Sequence, residues 1–350
     1  MSRPGARAER PPLGGLPVAL DAAGGDKAPV AVVEGARRAH AEGVPVVLVG
    51  PPELVGDPGP VALVACTEVI AMGEDPAQGV RRKKDSSLVR AAELVRDGTA
   101  SAMVSAGNTG AAMASALLRM GRLAGVLRPC IATPIPRFGG QPAVLVDSGA
   151  NAECTAPMLV QFALMGAAYA TERYGIAAPR VGLLSIGEEP GKGTPLVKET
   201  FGKLSELADR GELVFAGNVE GRDLIGSPVD VIVTDGFTGN VALKTLEGGM
   251  RYLLDALMAV FGTDDETRAA AAALLPHLGP IAAQLDPDVT GGALLLGVDG
   301  VCVISHGSSS AVAIANAVHV AHELAASGFV DRVQVAVAAG GRSEVAASGT

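Results

Sequence analysis

Along the chain, short apolar runs end in glycine-rich polar turns and are followed by stretches with helical spacing. Val18 to Leu20 predicts a strand running into Asp21-Ala-Ala-Gly-Gly-Asp26, then a helix from Pro29 to near Gly43. Val44 to Val49 is the next strand, with shorter apolar pieces at Val61 to Val64 and Glu68 to Ala71, and Ser86 to Arg96 is helical. Ala102 to Ser105 stops at Ala106-Gly107-Asn108-Thr109-Gly110 before an alanine-rich helix to Met120. Strands at Cys130 to Ile135 and Ala143 to Val146 precede a helix from Pro157 to Tyr174. Val181 to Ile186 is a buried strand that ends abruptly in glycines, Glu188, Glu189 and Lys192, before a helix from Pro195 to Asp209. Leu213 to Phe215 is a strand leading to a turn at Gly217 to Arg222, and Val229 to Thr234 runs into Asp235-Gly-Phe-Thr-Gly-Asn240 and a helix through Lys244 and Leu257. Leu294 to Leu296 and Val301 to Ile304 are the last strands, the second ending at Ser305-His306-Gly307-Ser308-Ser309-Ser310 before a helix to Ala326.

Repetition of strand, glycine turn and helix predicts an α/β fold: a mostly parallel sheet with helices on both faces in three layers, its polar turns gathered along one edge. The predicted organisation is one catalytic domain over 17–338, a flexible N-terminal extension over 1–16 and a disordered tail over 339–350. Within the domain, about 263–288 stands apart as an apolar helical pair interrupted at Pro276 and Pro280. It is too broken to span a bilayer, which needs about 20 uninterrupted apolar residues.

The composition fits such a core: of 350 residues 48% are hydrophobic, while 46 glycines and 23 prolines supply many short connections. Aromatic residues make up 3% with no tryptophan, so base-stacking platforms, and with them nucleic-acid partners, are not expected. With a net charge of -9, any anionic partner must dock locally. Met1 to Gly15 holds arginines without an apolar core, so it is not a secretory signal, and the expected location is the cytoplasm. The cysteines Cys66, Cys130, Cys154 and Cys302 form no C-x-x-C pair, and only His319 and His322 share a helical face, so no metal ligand set is predicted.

Three local features carry chemistry. A glycine turn opening a helix presents free N–H groups and the positive end of the dipole to an anion, which makes Gly107 to Gly110, Gly239 to Asn240 and Gly307 to Ser309 candidates for a phosphate cradle. Lys192, between glycines, is a mobile point charge with three donors. Arg81-Arg82-Lys83-Lys84 is the only four-residue basic run in this acidic chain; it is either a solvated helix entry or a docking patch for an acidic partner.

Taken together, Leu20-Asp-Ala-Ala-Gly-Gly-Asp26, Lys84-Asp-Ser-Ser87, Val104-Ser-Ala-Gly-Asn-Thr-Gly110, Ile186-Gly-Glu-Glu189 with Lys192-Gly193, Gly217-Asn-Val-Glu-Gly-Arg222, Asp235-Gly-Phe-Thr-Gly-Asn240 and His306-Gly-Ser-Ser309 resemble the PlsX-type phosphate acyltransferases, over Val18 to about Ala326. Ala23, Ser148, Ser185 and Ser310 depart from the residues usual there. The resemblance implies a fold similar to phosphotransacetylases and isocitrate-dehydrogenase-like enzymes, a homodimer, and transfer of a long-chain acyl group from acyl carrier protein to inorganic phosphate. The acyl phosphate would serve a downstream membrane acyltransferase, with no cofactor. Carried onto this chain, the catalytic candidates are Lys192, Asn240 and His306. The binding candidates are Asp21, Gly24, Gly25, Asp26, Gly107, Asn108, Thr109, Gly110, Glu188, Glu189, Gly193, Asn218, Asp235, Thr238, Gly239, Gly307, Ser308 and Ser309. The basic run would dock the carrier protein, and 263–288 would form either the dimer interface or a weak peripheral membrane tip.

Phosphate is itself a nucleophile, so the enzyme need only hold it near the thioester and stabilise the oxyanion; no protein nucleophile is required. The alternatives are an acyl-enzyme route through Cys302 or Cys154, a phosphotransacetylase-like use of acyl-CoA, and a non-catalytic membrane scaffold. No G-x-G-x-x-G with a ribose-binding acid is placed for a nicotinamide dehydrogenase.

Overall fold

The computed structural model describes residues 13–137, 139–226, 229–285 and 291–347; the expected N-terminal extension lies largely outside them. Its first half is built from β1 (Val18–Asp21), α1 (Val30–Ala41), β2 (Val46–Gly50), α2 (Pro52–Val55), β3 (Ala62–Ala65), α3 (Pro76–Arg82), α4 (Ser87–Arg96), β4 (Ala102–Ser105) and α5 (Thr109–Ser115), the last continuing as a π turn to Met120. After β5 (Cys130–Ile135) come β6 (Ala143–Val146), α6 (Ala156–Tyr174), β7 (Arg180–Leu184), α7 (Pro195–Asp209), β8 (Val214–Val219), β9 (Val231–Val233), α8 (Gly236–Phe261) and α9 (Asp265–Leu285). The chain then returns to the first half through β10 (Ala293–Leu296), β11 (Val301–Ile304), α10 (Ala311–Ala326) and α11 (Phe329–Ala347).

One 11-stranded sheet runs in the order β3-β2-β1-β4-β11-β10-β5-β6-β9-β7-β8. Its central strands are apolar on both faces, as expected where helices cover both sides. Most neighbours are parallel, but β10 is antiparallel to both β11 and β5, and β5 is antiparallel to β6. The two half-sheets therefore run in opposite senses. Register places their ends together: Val303 pairs with Leu294, Leu294 with Ala132, and Ala132 with Val146, so β11 and β6 both reach their C-terminal ends at the row of Ala132. The polar turns thus come from two edges that meet around the middle of β5, and not from one edge as the strand pattern predicts. The pairing that joins the two halves, β10 with β5, is made by segments more than 100 residues apart in the chain, where local periodicity carries no signal.

Several predicted elements differ in detail. Glu68 to Ala71 is no strand; it contributes an isolated bridge from Glu68 to Ser86. Ile186 lies beyond β7 and is 83% exposed, whereas Gly217 and Asn218 belong to β8, where a register shift opposite Val181 and Gly182 absorbs Ala216 and pairs Gly217 with Gly182. The predicted helical pair is one helix, α9, running through Pro276 and Pro280. Each proline forfeits a single N–H bond, and on an exposed helix water can satisfy the freed carbonyl. The region expected as a tail from 339 is helical to Ala347, because Phe329, Val330, Val333 and Val337 bury one face of α11. Between them, α8 and α9 expose Tyr252, Leu253, Leu257, Met258, Leu274 and Leu275.

Candidate active site

Where the two sets of turns meet, a cavity of about 380 Å³ opens, within the range of small-molecule sites. Asp26, Gly107 and Thr109 reach it from the first half, and Ser305, His306, Gly307 and Ser309 from the turn after β11. Thr133 of β5, Ser148 and Gly149 after β6, and Asn240, Leu243, Lys244 and Glu247 of α8 close the other side. Met72, Ile131, Ala293 and Ile304 give it an apolar wall.

Local sequence explains each approach. Asn108 caps α5 by accepting Ala111 N–H at 3.0 Å, and its amide donates to the carbonyls of Met72 and Glu74 at 2.8 and 3.1 Å. That drapes the 72–74 segment over the turn and puts Met72 in the wall. Asp235 caps α8, accepting from Thr238 N–H and Thr238 Oγ1, both at 2.8 Å. Gly239 lets the first turn of α8 press against Asp147, and Asn240 Nδ2 donates to Ser148 O at 3.2 Å. Ser310 caps α10 by accepting Ala313 N–H at 3.2 Å, a task a hydroxyl performs without a carboxylate's charge.

Two buried aspartates hold these turns. Asp147 accepts N–H bonds from Ile131, Gly149, Ala150 and Asn151, and the Asn151 side-chain amide besides. Asp21, 1% exposed, accepts from Ser105 Oγ at 2.7 Å and Ala23 N–H at 3.2 Å; burial pushes its carboxyl above the ordinary range, opposed by hydrogen bonds from Ser87 and Ser105. Asp21 is thus beneath the site and does not line it. Gly24 and Gly25 are equally indirect: a Cβ at 24 would strike Asp21 Oδ2 and Gly107 N, so their lack of side chain permits the two turns to touch.

The backbone amides expected to cradle phosphate are mostly engaged within the protein. Gly107 N–H donates to Ser105 Oγ, Gly239 N–H to Asp235 O, and Ser309 N–H to His306 O. What faces the cavity instead is a set of side-chain donors. The Lys244 ammonium, 2.8 Å from Glu247 Oε2, is its cation. His306 Nδ1 accepts Ser308 N–H at 3.3 Å and stands 2.8 Å from Ser308 Oγ, so the proton of the neutral ring sits on Nε2. Thr133 Oγ1 and Ser148 Oγ are 2.6 Å apart on the cavity wall.

Lys192 is elsewhere. Its loop follows β7, two strands outward from β6, and does not line this cavity. There Glu188 pairs with Arg222 at 3.0 Å, Asn218 Nδ2 donates to Glu189 O at 2.9 Å, and Gly193, with φ of 96°, brings the chain against Ser185 and Val197. Gly110 packs on Pro76. Of the residues sequence analysis singled out, the structure brings together Asp26, Gly107, Thr109, Asn240, His306, Gly307 and Ser309, and sets the Lys192, Glu188, Glu189, Asn218 cluster apart. It adds Thr133, Ser148, Lys244, Glu247 and Ser305. Lys244 was legible in one respect: it follows Asn240 by four residues, on the same face of a helix.

The cysteines offer no nucleophile here. Cys302 is fully buried and burial pushes its thiol up to about 12; Cys154 is half-buried and raised to about 11 by the same cause. Neither lines the cavity. His319 Nε2 is 2.6 Å from Glu42 Oε2. No helix among the described residues is long and apolar enough to cross a membrane.

Residues 16–332 match the family described as fatty acid synthesis protein. The chain is 46% identical over 331 residues to a phosphate acyltransferase of Elusimicrobium minutum, covering 92% of this chain and 96% of that one. It is 44% identical over 326 residues to a phosphate acyltransferase of Desulfitobacterium hafniense, covering 91% and 96%. Among solved structures it resembles a phosphotransacetylase from Streptococcus pyogenes, with a TM-score of 0.60 at 17% identity over 90% of this chain and 95% of that one. The EutD phosphotransacetylase from Staphylococcus aureus gives 0.58 at 16% identity, over 90% and 96%. These structural likenesses concern the fold.

Proposed function

The chain belongs to the fatty acid synthesis protein family, and on that premise we propose that it is a phosphate acyltransferase that moves a long-chain acyl group from acyl carrier protein to inorganic phosphate, releasing acyl phosphate. The observation that carries this reading is the cavity between the opposed half-sheets, where a lysine, an Nε2–H imidazole and several hydroxyls face an apolar wall. Lys244 holds the phosphate by charge, and Asp26 accepts the hydrogen that hydrogen phosphate carries. A phosphate oxygen bonds to the thioester carbon while Asn240 and Lys244 stabilise the oxyanion, and the C–S bond then breaks. The sulfur leaves as a thiolate that accepts a hydrogen bond from His306 Nε2–H, the proton given up by phosphate passes to Asp26, and exchange with solvent returns that proton to the thiolate.

The basic run supports an acidic carrier as donor. Lys83 is taken up by Glu74 at 2.6 Å and Val69 O at 2.7 Å, which leaves Arg81, Arg82 and Lys84 exposed at the end of α3, on the segment that carries Met72 to the cavity. Acyl-CoA is the second reading, favoured by the resemblance in fold to phosphotransacetylases. The exposed apolar faces of α8 and α9 suit a homodimer contact or a weak peripheral membrane contact from the cytoplasm, from which acyl phosphate would pass to a membrane acyltransferase. Lys192 remains a candidate for the acyl side of the reaction. The deciding experiment is acyl phosphate formation by the purified protein given phosphate and either acyl carrier protein thioester or acyl-CoA. No product from either donor would sink the enzymatic reading, and equal use of both would remove the carrier protein as the specific donor.

A further inference from the structure

We infer that Ser305 is a phosphate-binding residue whose hydroxyl donates to an oxygen of the acceptor phosphate. This rests on the cavity being the phosphate site. Ser305 is 5% exposed, and its Oγ is buried without a hydrogen-bond partner, yet the residue lines the cavity. A buried hydroxyl left unpaired destabilises the free protein, so its retention at a cavity wall points to a partner that arrives with the ligand. The local backbone supports this placement. Ser305 N–H donates to Ser105 O at 2.9 Å, which fixes Ser305 between the turn that carries Gly107 and the turn that carries Gly307 and Ser309. Opposite it, Gly292 has no side chain, and a Cβ there would stand 3.2 Å from Ser305 Oγ, so glycine keeps a side chain from crowding the hydroxyl. Ser115 is a natural control: its hydroxyl is also buried and unpartnered, but it does not line the cavity.

A hydroxyl whose partner is the ligand has an unusual signature. Ser305→Ala removes an unsatisfied group, so without phosphate it should melt at or above the wild type; with inorganic phosphate its dissociation constant, read from the phosphate-dependent melting shift, should rise about tenfold or more. Its KM for phosphate should rise in parallel. Ser115→Ala should keep the wild-type phosphate affinity. If Ser305→Ala melts well below the wild type without phosphate, the hydroxyl has a partner inside the protein and the inference is overturned. A wild-type response to phosphate that Ser305→Ala shares unchanged overturns it too, as does a lowered kcat at unchanged phosphate affinity, which would assign the hydroxyl to the thioester. A wild type that does not respond to phosphate at all would instead remove the cavity as the acceptor site, a distinct failure.

Discussion

Gly239 sits against the carbonyl oxygen of Asp147 so closely that a Cβ at 239 would overlap it. This contact sets how far the N-terminus of α8 advances toward the turn after β6, and so where Asn240 and Lys244 stand. Gly239→Ala should therefore do more than an ordinary helix substitution, in which alanine gains up to about 1 kcal/mol over glycine. We expect destabilisation of about 1–3 kcal/mol from the forced backbone shift, with a loss of turnover larger than the loss of stability explains. Denaturant unfolding together with steady-state kinetics checks both; a more stable, active variant would show that the contact yields freely.

Asp21 binds its proton more tightly in the folded protein than unfolded, because burial disfavours its charge. Its contribution to stability is then fully present below the ordinary value of 3.8 and is lost as pH rises through the higher folded value. Asparagine does not titrate, so the wild type should lose stability relative to Asp21→Asn as pH rises above the ordinary value of 3.8. Chemical denaturation of both proteins at rising pH is the measurement. A difference that does not change with pH would mean Asp21 titrates normally.

The two lysines should separate by substrate. Lys244→Met ought to raise the KM for phosphate roughly tenfold or more, since it removes the cation of the cavity. Lys192→Ala should leave that KM within about a factor of two, whatever it does to kcat. Phosphate titrations at saturating acyl donor test this, and a large phosphate effect from Lys192 alone would move the acceptor site to its loop.

Within the basic run the residues should also divide. Replacing Arg81, Arg82 and Lys84 with serine should raise the KM for acyl carrier protein and flatten its salt dependence, without changing the KM for phosphate. Lys83→Ser should chiefly lower the melting temperature, since it strands Glu74 and frees the 69–74 segment. Unaltered salt dependence in the triple variant would leave the run as a solvated helix end.

Leu274 and Leu275 are exposed on α9, which Asp264, Asp265 and Glu266 make acidic at its start, so any membrane contact must be apolar. Liposome flotation should show weak binding that survives high salt and is lost in Leu274→Gln/Leu275→Gln, with activity toward soluble substrates retained. If that variant becomes monomeric in sedimentation instead, the face belongs to a subunit interface.

The sequence by itself determined what short-range physics controls. Alternation of apolar runs and glycine turns placed most strands and helices and showed that the turns carry the polar groups. Only tertiary structure decided which turns meet. The antiparallel pairings of β10 and β5 reverse one half-sheet against the other, and they join residues as distant as Leu294 and Ala132, which no local period reports. That reversal brings Lys244 and Ser305 into one cavity and leaves Lys192 at another strand end. In one dimension a glycine-flanked lysine on a loop draws the eye, while Lys244, a helical lysine one turn past Asn240, reads as an ordinary helix position. Nor does a sequence distinguish an aspartate that holds a ligand from Asp21, which holds the turns beneath the site, because that depends on burial by chain segments distant in sequence.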